Sequence, residues 1–269
     1  MAMETVIIDS SFGKDSTAMI HLMLENNEPI SHVVYFETGW DFPQMEAHIQ
    51  KVEKNTGIKT IRIRNYRHFE ELLALYGWPH PKGGWCAASK RDNCKKIFRA
   101  LKGSIECIGF TTDEIYRTKR PSINNRKWQV RFPLIECGMS EKDCLKYCYS
   151  LGYNWDGLYK VFSRVSCFCC PKAGQKRIDK LKYHYPGLYD EYLKLDGIAK
   201  QRIEEEMEAI YSQDINGLAR QCPKCKTIAH FDVKGRKPTT VTCPICDYEF
   251  EVKKYRRGER PAAIKKGRV

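Results

Sequence analysis

The sequence predicts an α/β fold on a mostly parallel sheet with helices on both faces, followed by a small C-terminal module that folds around a metal. Three observations carry this expectation. Short β-branched runs alternate with amphipathic stretches through the first half, the pattern of parallel strands joined by helical crossovers. A Gly-containing turn, Ser10-Ser11-Phe12-Gly13-Lys14-Asp15-Ser16-Thr17, follows the first of those runs. Thirteen cysteines, clustered rather than scattered, sit in a chain with no export signal at its start.

Taken in order, Thr5 to Asp9 reads as a buried strand. Ala18 to Leu24 reads as the helix after the turn, with Met19, Ile20, Leu22 and Met23 at helical spacing. His32 to Phe36 is a second strand, Gln44 to Asn55 a second helix, Lys59 to Ile63 a third strand and Ile105 to Phe110 a fourth. In such a fold ligands gather at the carboxyl ends of the strands. From Ser140 the pattern is helical, with a loop at Cys167 to Gly174, and Asp196 to Ile215 reads as a charged, solvated helix. The expected organisation is therefore a nucleotide-binding catalytic domain over 1–195, a helical linker over 196–219, a cysteine-bearing unit over 220–252 and a basic, disordered tail over 253–269.

Composition narrows the function. Hydrophobic residues make up 42% of the 269, enough for a sizeable core, which excludes pervasive disorder and a disulfide-stapled miniprotein. Mean hydropathy is -0.55, and no apolar run approaches the roughly 18 residues of a membrane span. A cytoplasmic protein without membrane contact is expected. The net charge is +13, and Lys253 to Val269 holds eight Lys/Arg against Glu259 alone. Such a tail suits a polyanionic partner, RNA or DNA, while the plainer alternative is a solubilising tail.

The turn after the first strand has the makings of a phosphate site. Successive backbone N–H groups and the helix N-terminus favour an anion, Lys14 adds a point charge, and Ser16 or Thr17 can cap the helix. Asp15 after Lys14 separates it from the Walker A loop. Downstream, Cys222-x2-Cys225 and Cys243-x2-Cys246, with 17 residues between the pairs, predict a tetrahedral zinc ribbon. A unit of that size cannot bury enough core alone, so metal binding supplies its folding energy. His230, between the pairs, reads as an ordinary strand residue. The ribbon could read nucleic acid, bind protein or brace the fold, and the adjoining basic tail favours nucleic acid. Cys94, Cys107, Cys137, Cys144 and Cys148 fall at apolar periodic positions and read as small buried hydrophobes.

Several segments in order resemble one family. Ser11-x-Gly13-Lys14-Asp15-Ser16 is similar to the PP-loop of the ATP pyrophosphatase (adenine nucleotide α-hydrolase) superfamily. Within it the phosphoadenosine phosphosulfate reductase family matches best. Tyr35-Phe36-Glu37-Thr38-Gly39 with Phe42-Pro43 resembles that family's second-strand motif. Trp85-Cys86 with Lys90, Ile108-Gly109 with Asp113-Glu114 and Arg117, Phe132-Pro133-Leu134-Ile135-Glu136, and Cys167-Phe168-Cys169-Cys170-Pro171 follow in family order. The resemblance covers roughly residues 4 to 196. Departures are Phe12 for the first loop glycine, Glu37 for aspartate and Ala87 for threonine. Phe12 is expected to hold the backbone farther from phosphates. The reductases' C-terminal Glu-Cys-Gly-aliphatic-His segment is missing, and Glu136-Cys137-Gly138-Met139 only mimics it.

The resemblance implies binding of ATP or an adenylyl sulfate nucleotide, with Mg²⁺ assisting. Ser11, Gly13, Lys14, Asp15 and Ser16 would hold the phosphates, Phe36, Glu37, Thr38 and Gly39 would face the adenosine, and Asp113 and Glu114 would complete the nucleotide site. Lys14, Asp15 and Arg117 are the implied catalytic residues; Arg120 reads equally as a second anion clamp or a solvated residue. Cys86 with Cys167, Cys169 and Cys170 would hold a 4Fe–4S cluster, since some relatives carry one. A zinc site at these thiols stays open, and Cys94 competes as a fourth ligand.

The leading expectation is adenylation-dependent sulfur transfer to a nucleic acid, with a sulfur-donor protein or a thioredoxin-like reductant as partner. Two others stand beside it: a sulfonucleotide reductase releasing sulfite, and a non-catalytic, nucleotide-responsive nucleic-acid-binding module.

Overall fold

A computed structural model describes residues 4–80, 84–165, 167–213, 219–226, 228–230 and 239–252, although the side chains of 202–213, 219–221, 228–230 and 239 are not part of that description. The chain divides into two compact units, Met1–Asp196 and Gly197–Val269. The basic tail expected after Lys253 lies outside the described residues.

In the first unit β1 (Val6–Ser10) leads into α1 (Lys14–Glu25), β2 (His32–Glu37), α2 (Gln44–Thr56), β3 (Thr60–Arg64), α3 (Phe69–Tyr76), α4 (Trp85–Ala100) and β4 (Ile105–Ile108). A 3-10 stretch (Thr112–Lys119), α5 (Pro121–Asn124), β5 (Gln129–Arg131), α6 (Pro133–Glu136), α7 (Glu141–Ser150), α8 (Leu158–Val161), α9 (Gln175–His184) and α10 (Pro186–Gln213) follow. The five strands form one sheet in the order β3-β2-β1-β4-β5, every pair parallel. The order reverses between β1 and β4, and there the carboxyl ends of the strands open a crevice.

Strand alternation decides what each face buries. Ile7 and Val34 point to the face covered by α4, packing with Phe98 and flanked by Ile97, Leu101 and Trp128. On the other face α1 packs against α6 and α7. Two acids break the apolar pattern. Glu106 of β4, buried, pairs with Arg126 and accepts from Trp128 Nε1 at 2.7 Å. Beside it Asp9 is pushed up to about 7, first by burial and then by the Glu106 charge.

Two expectations need adjustment. The charged helix expected from Asp196 begins ten residues earlier, at Pro186, because proline suits a first helical turn. Cys107, Cys144 and Cys148 are buried as expected, but Cys137 is exposed, because it ends the one-turn helix α6 at the surface.

In the second unit β6 (Ala219–Gln221) pairs antiparallel with β7 (Ile228–His230), and β8 (Thr239–Thr242) with β9 (Glu249–Val252). His230 is a strand residue opposite Ala219.

One buried group gives the fold a pH dependence. His48 of α2 is 5% exposed, bonds Thr17 Oγ1 at 3.0 Å and stacks on Trp155 with centroids 4.4 Å apart. Burial, then the charges of Lys51 and His21, lowers its pKa to about 3. The unfolded chain therefore binds the extra proton first, and this stability is lost as pH falls below the unfolded value of about 6.5. Wild type is expected to lose roughly 2 kcal/mol more than His48→Gln between pH 7.5 and pH 5, read by denaturant unfolding at each pH. Equal losses would refute this.

Candidate active site and metal centres

The turn after β1 is built by one left-handed residue. Phe12 has φ +51°, which a side chain seldom adopts, yet its ring is 1% exposed and meets Tyr35 and His48 edge-on at 5.7 and 6.5 Å. Burial of a whole phenyl ring offsets a strain of order 1–2 kcal/mol. The side chain turns into the core, between Tyr35 and His48, rather than toward the loop amides.

Residues 148–159 hold the loop from beneath. Trp155 Nε1 donates to the Phe12 carbonyl at 2.8 Å, Lys14 N–H donates to the Tyr159 hydroxyl at 2.7 Å, and the Cys148 thiol donates to the Lys14 carbonyl at 3.3 Å. Asp15 and Ser16 stand in the first turn of α1, where amides have no intrahelical acceptor. Gly109, at the end of β4, lies against the backbone of Asp15 and Ser16. Ser11 is exposed and its Oγ lies 3.4 Å from that of Ser16.

From the loop a line of alternating charges crosses the crevice. Lys14 Nζ, on a side chain only 6% exposed, contacts Asp15 at 3.3 Å and Glu141 at 2.8 Å. Arg164 contacts Glu141 at 3.2 Å and Glu114 at 2.9 Å, and Glu114, buried, contacts Arg117 at 2.6 Å. Arg117 stacks 4.2 Å over Phe110, and its Nε is buried with no hydrogen-bond partner among the described residues. Asp113 accepts from Glu141 N–H at 2.7 Å and so fixes the start of α7. The structure thus joins four predicted residues, Lys14, Asp15, Glu114 and Arg117, through Glu141 and Arg164, which the sequence did not single out. The capping box of Ser140 and Asp143 was the available signal that a helix, and an acidic first turn, starts at Glu141.

Burial pushes the Asp15 carboxyl up to about 6; Lys14 opposes this and Glu141 adds to it. Asp15 Oδ1 is buried without a partner among the described residues, an acceptor positioned for a cation or a donor that a ligand brings. Burial would also raise Glu141, but Lys14 and Arg164 outweigh it and hold this carboxyl below its ordinary value. Arg120 lies 5.7 Å over the exposed Tyr116 and has no place in this line.

At the carboxyl ends of β2 and β3 lies a cavity of about 330 Å³, lined by Tyr35, Glu37, Thr38, Gly39, Asp41 and Arg64 among others. Glu37 is tied to Arg62 and Arg64. Thr38 N–H and Oγ1–H both donate to Asp41 Oδ2 at 3.0 Å, and Gly39 takes the turn at φ +80°. Phe36 is buried against Phe69 and does not line the cavity.

One of the upstream cysteines touches a residue that lines this cavity. Cys167 donates to Thr38 Oγ1 at 3.3 Å, and Phe168 N–H donates to the Trp40 carbonyl. Cys86 sits in the first turn of α4, where Trp85 packs against Trp40 and Phe69. Burial pushes up Cys86, Cys169 and Cys167, the last to about 12, and the charges of neighbouring thiols in the group add to it. Without a bound cation these sulfurs are therefore neutral. Arg177, which the sequence did not flag, donates to the carbonyls of Arg164 at 2.6 Å and Cys167 at 3.3 Å and lies 4.9 Å over Phe162. Cys94 is buried on α4, its thiol pushed up to about 12, first by burial and then by the Asp9 charge.

In the second unit the four sulfurs of Cys222, Cys225, Cys243 and Cys246 all lie within 4.8 Å of one another, with pairs at 3.7 and 3.5 Å. Tetrahedral zinc with bonds of about 2.3 Å separates its sulfurs by roughly 3.8 Å, so the set fits that ion. The two knuckles share one geometry. Lys226 N–H donates to the Cys222 carbonyl and Asp247 N–H to that of Cys243, both donors being left-handed. Among the described residues no other cysteines are grouped so closely.

With this geometry in view, residues 5–173 match the phosphoadenosine phosphosulfate reductase domain. The chain belongs to that family. A relative, the uncharacterized protein MJ0066 of Methanocaldococcus jannaschii, is 26% identical over 196 residues, covering 70% of this chain. The chain spans less than half the length of the curated relatives it matches, 40% and 46%. Two solved structures are similar in shape. The U34-tRNA thiolase NcsA of Methanococcus maripaludis, with its 4Fe–4S cluster, is 17% identical, covers 74% of this chain and 72% of its own, and has a TM-score of 0.45. The phosphoadenylyl-sulfate reductase of Candida auris is 13% identical, covers 59% and 78%, and has a TM-score of 0.44.

Elemental analysis is expected to find one zinc per chain at the four C-terminal cysteines. Cys243→Ser should release it and unfold the ribbon, read as loss of protease resistance there. Zinc retained by that variant would place the ion elsewhere.

Proposed function

We propose that the chain adenylates an oxygen of a nucleic acid with ATP and exchanges that oxygen for sulfur. The observation that carries this reading is the shared Thr38: its hydroxyl lines the cavity and accepts from Cys167, so a sulfur site and a nucleoside-sized cavity have one wall in common. The phosphate chain would run to Ser11, Gly13, Lys14, Asp15 and Ser16, with the adenosine against Glu37, Thr38 and Gly39. Phe36 would contribute backbone alone.

The acceptor oxygen attacks the α-phosphorus, the bond to the bridging oxygen breaks, and pyrophosphate leaves. Lys14 and the α1 amides stabilise the charge that grows on it. Its arrival would draw Lys14 from Glu141 and leave Arg164 to hold that carboxylate. Arg117, planar and anchored by Glu114, is placed to fork onto a phosphate oxygen. A sulfur nucleophile then displaces AMP, and carbon exchanges its bond to oxygen for one to sulfur. Mg²⁺, when bound, neutralises phosphate charge, with Asp15 Oδ1 as its candidate ligand.

Cys86, Cys167, Cys169 and Cys170 suit a 4Fe–4S cluster better than a single zinc ion. They are spread more widely than the ribbon sulfurs, as four iron corners with one thiolate each require. When bound, such a cluster would bring iron–sulfur redox chemistry beside Thr38. A sulfur-donor protein or thioredoxin-like reductant is the proposed partner and the cytoplasm the proposed location; among the described residues no helix is long and apolar enough to cross a membrane. Family membership favours a second reading, release of sulfite from a sulfonucleotide.

With ATP, Mg²⁺ and bulk tRNA, pyrophosphate release is expected, falling roughly 10²–10³-fold in Lys14→Met. Sulfite release from a sulfonucleotide without pyrophosphate would replace the first reading by the second, and neither product would sink both. Anaerobically purified protein is expected to carry about four irons and a brown absorption band. Cys167→Ser should lose both, whereas zinc in their place would remove the cluster.

A further inference from the structure

At the edge of the cavity stands a loop to which the proposed function gives no role. Between β3 and α3 the chain passes through Arg64-Asn65-Tyr66-Arg67-His68, and Tyr66 is 99% exposed. A lone surface aromatic means little in itself. This one is held out by construction. Asn65 Nδ2 donates to the Arg67 carbonyl at 3.1 Å, and Asn65 Oδ1 accepts from Asn93 Nδ2 at 3.0 Å, so α4 braces the loop from below. Asn93 is in turn fixed by donating to the Ser89 carbonyl at 2.9 Å.

Charge and position say what such a loop meets. Arg64 is anchored to Glu37, while Arg67 is exposed and has no ion pair among the described residues. Arg64, Asn65, Arg67 and His68 all line the cavity that Thr38 shares with Cys167. An exposed ring on a braced backbone, flanked by guanidinium groups, matches single-stranded nucleic acid, whose bases offer π-faces and whose backbone offers phosphates. A duplex keeps its bases stacked away from such a ring.

We propose that the Arg64–His68 loop docks the single-stranded region of the acceptor, Tyr66 stacking on an unpaired base and Arg67 meeting a neighbouring phosphate. This rests on the nucleic-acid reading above and adds where the strand is gripped. The loop would deliver the nucleotide next to the stacked base to the cavity mouth.

The test uses the full chain and a short RNA with 2-aminopurine at its centre, offered single-stranded, as a duplex, and as DNA of the same sequence. Wild type should prefer the single strand and quench the fluorophore by stacking. Tyr66→Ala should abolish the quench and weaken binding roughly five- to a hundred-fold, while Tyr66→Phe keeps both. Arg67→Ala should reduce the salt dependence by about one phosphate contact. Both positions are exposed, so an unchanged melting temperature is expected. If Tyr66→Ala and Arg67→Ala bind and quench as wild type does, the docking loop is wrong while a nucleic-acid acceptor stands. Equal binding to duplex without quenching also overturns the loop. No binding of any RNA or DNA by wild type removes the loop and the nucleic-acid acceptor together.

Discussion

The left-handed turn at Phe12 is the constraint from which the crevice at the ends of the strands is built. With its ring driven between Tyr35 and His48, the backbone leaves β1 so that its carbonyl meets Trp155 and the next amides head α1. Glycine would take the same φ with less strain but would leave a ring-sized void in the core. The aromatic residue exchanges backbone freedom for packing. The loop is thereby fixed by the core beneath it and by Trp155 and Tyr159, rather than by a ligand.

Such rigidity matters because Lys14 is nearly buried. An ammonium group in that position needs anions, and Asp15 and Glu141 supply them. The line of charge then continues through Arg164 and Glu114 to Arg117, so the cations are held in place by acids on neighbouring segments. In the proposed reaction a polyphosphate would exchange one set of anions for another on a scaffold already fixed by its core. The raised Asp15 carboxyl fits that picture: it is desolvated by the same packing that holds the loop.

The two cysteine groups illustrate how far local spacing reaches. In the ribbon, each pair lies on one knuckle whose hydrogen bonds follow from consecutive residues, so its ligand set could be read directly from Cys-x2-Cys. The upstream group depends on a helix start at Cys86 and a loop eighty residues later. Family order suggested that they meet, but the contacts of Cys167 with Thr38 and Arg177 became visible only in three dimensions. Cys137 failed for a related reason: apolar periodicity says little in a helix of one turn, where the fold decides which side faces water.

By itself the sequence determined the sheet-and-helix alternation, the loop after β1 and the four-cysteine set, because each depends on residues a few positions apart. Its strand limits came within about two residues. What it left undecided was pairing between distant segments: the sheet order that reverses at β1 and β4, the contact of Glu141 with Lys14, the direction of the Phe12 ring and the bracing of Tyr66 by Asn93. These depend on which surfaces meet once the apolar faces are buried, and a side chain's distant partner is chosen by that packing.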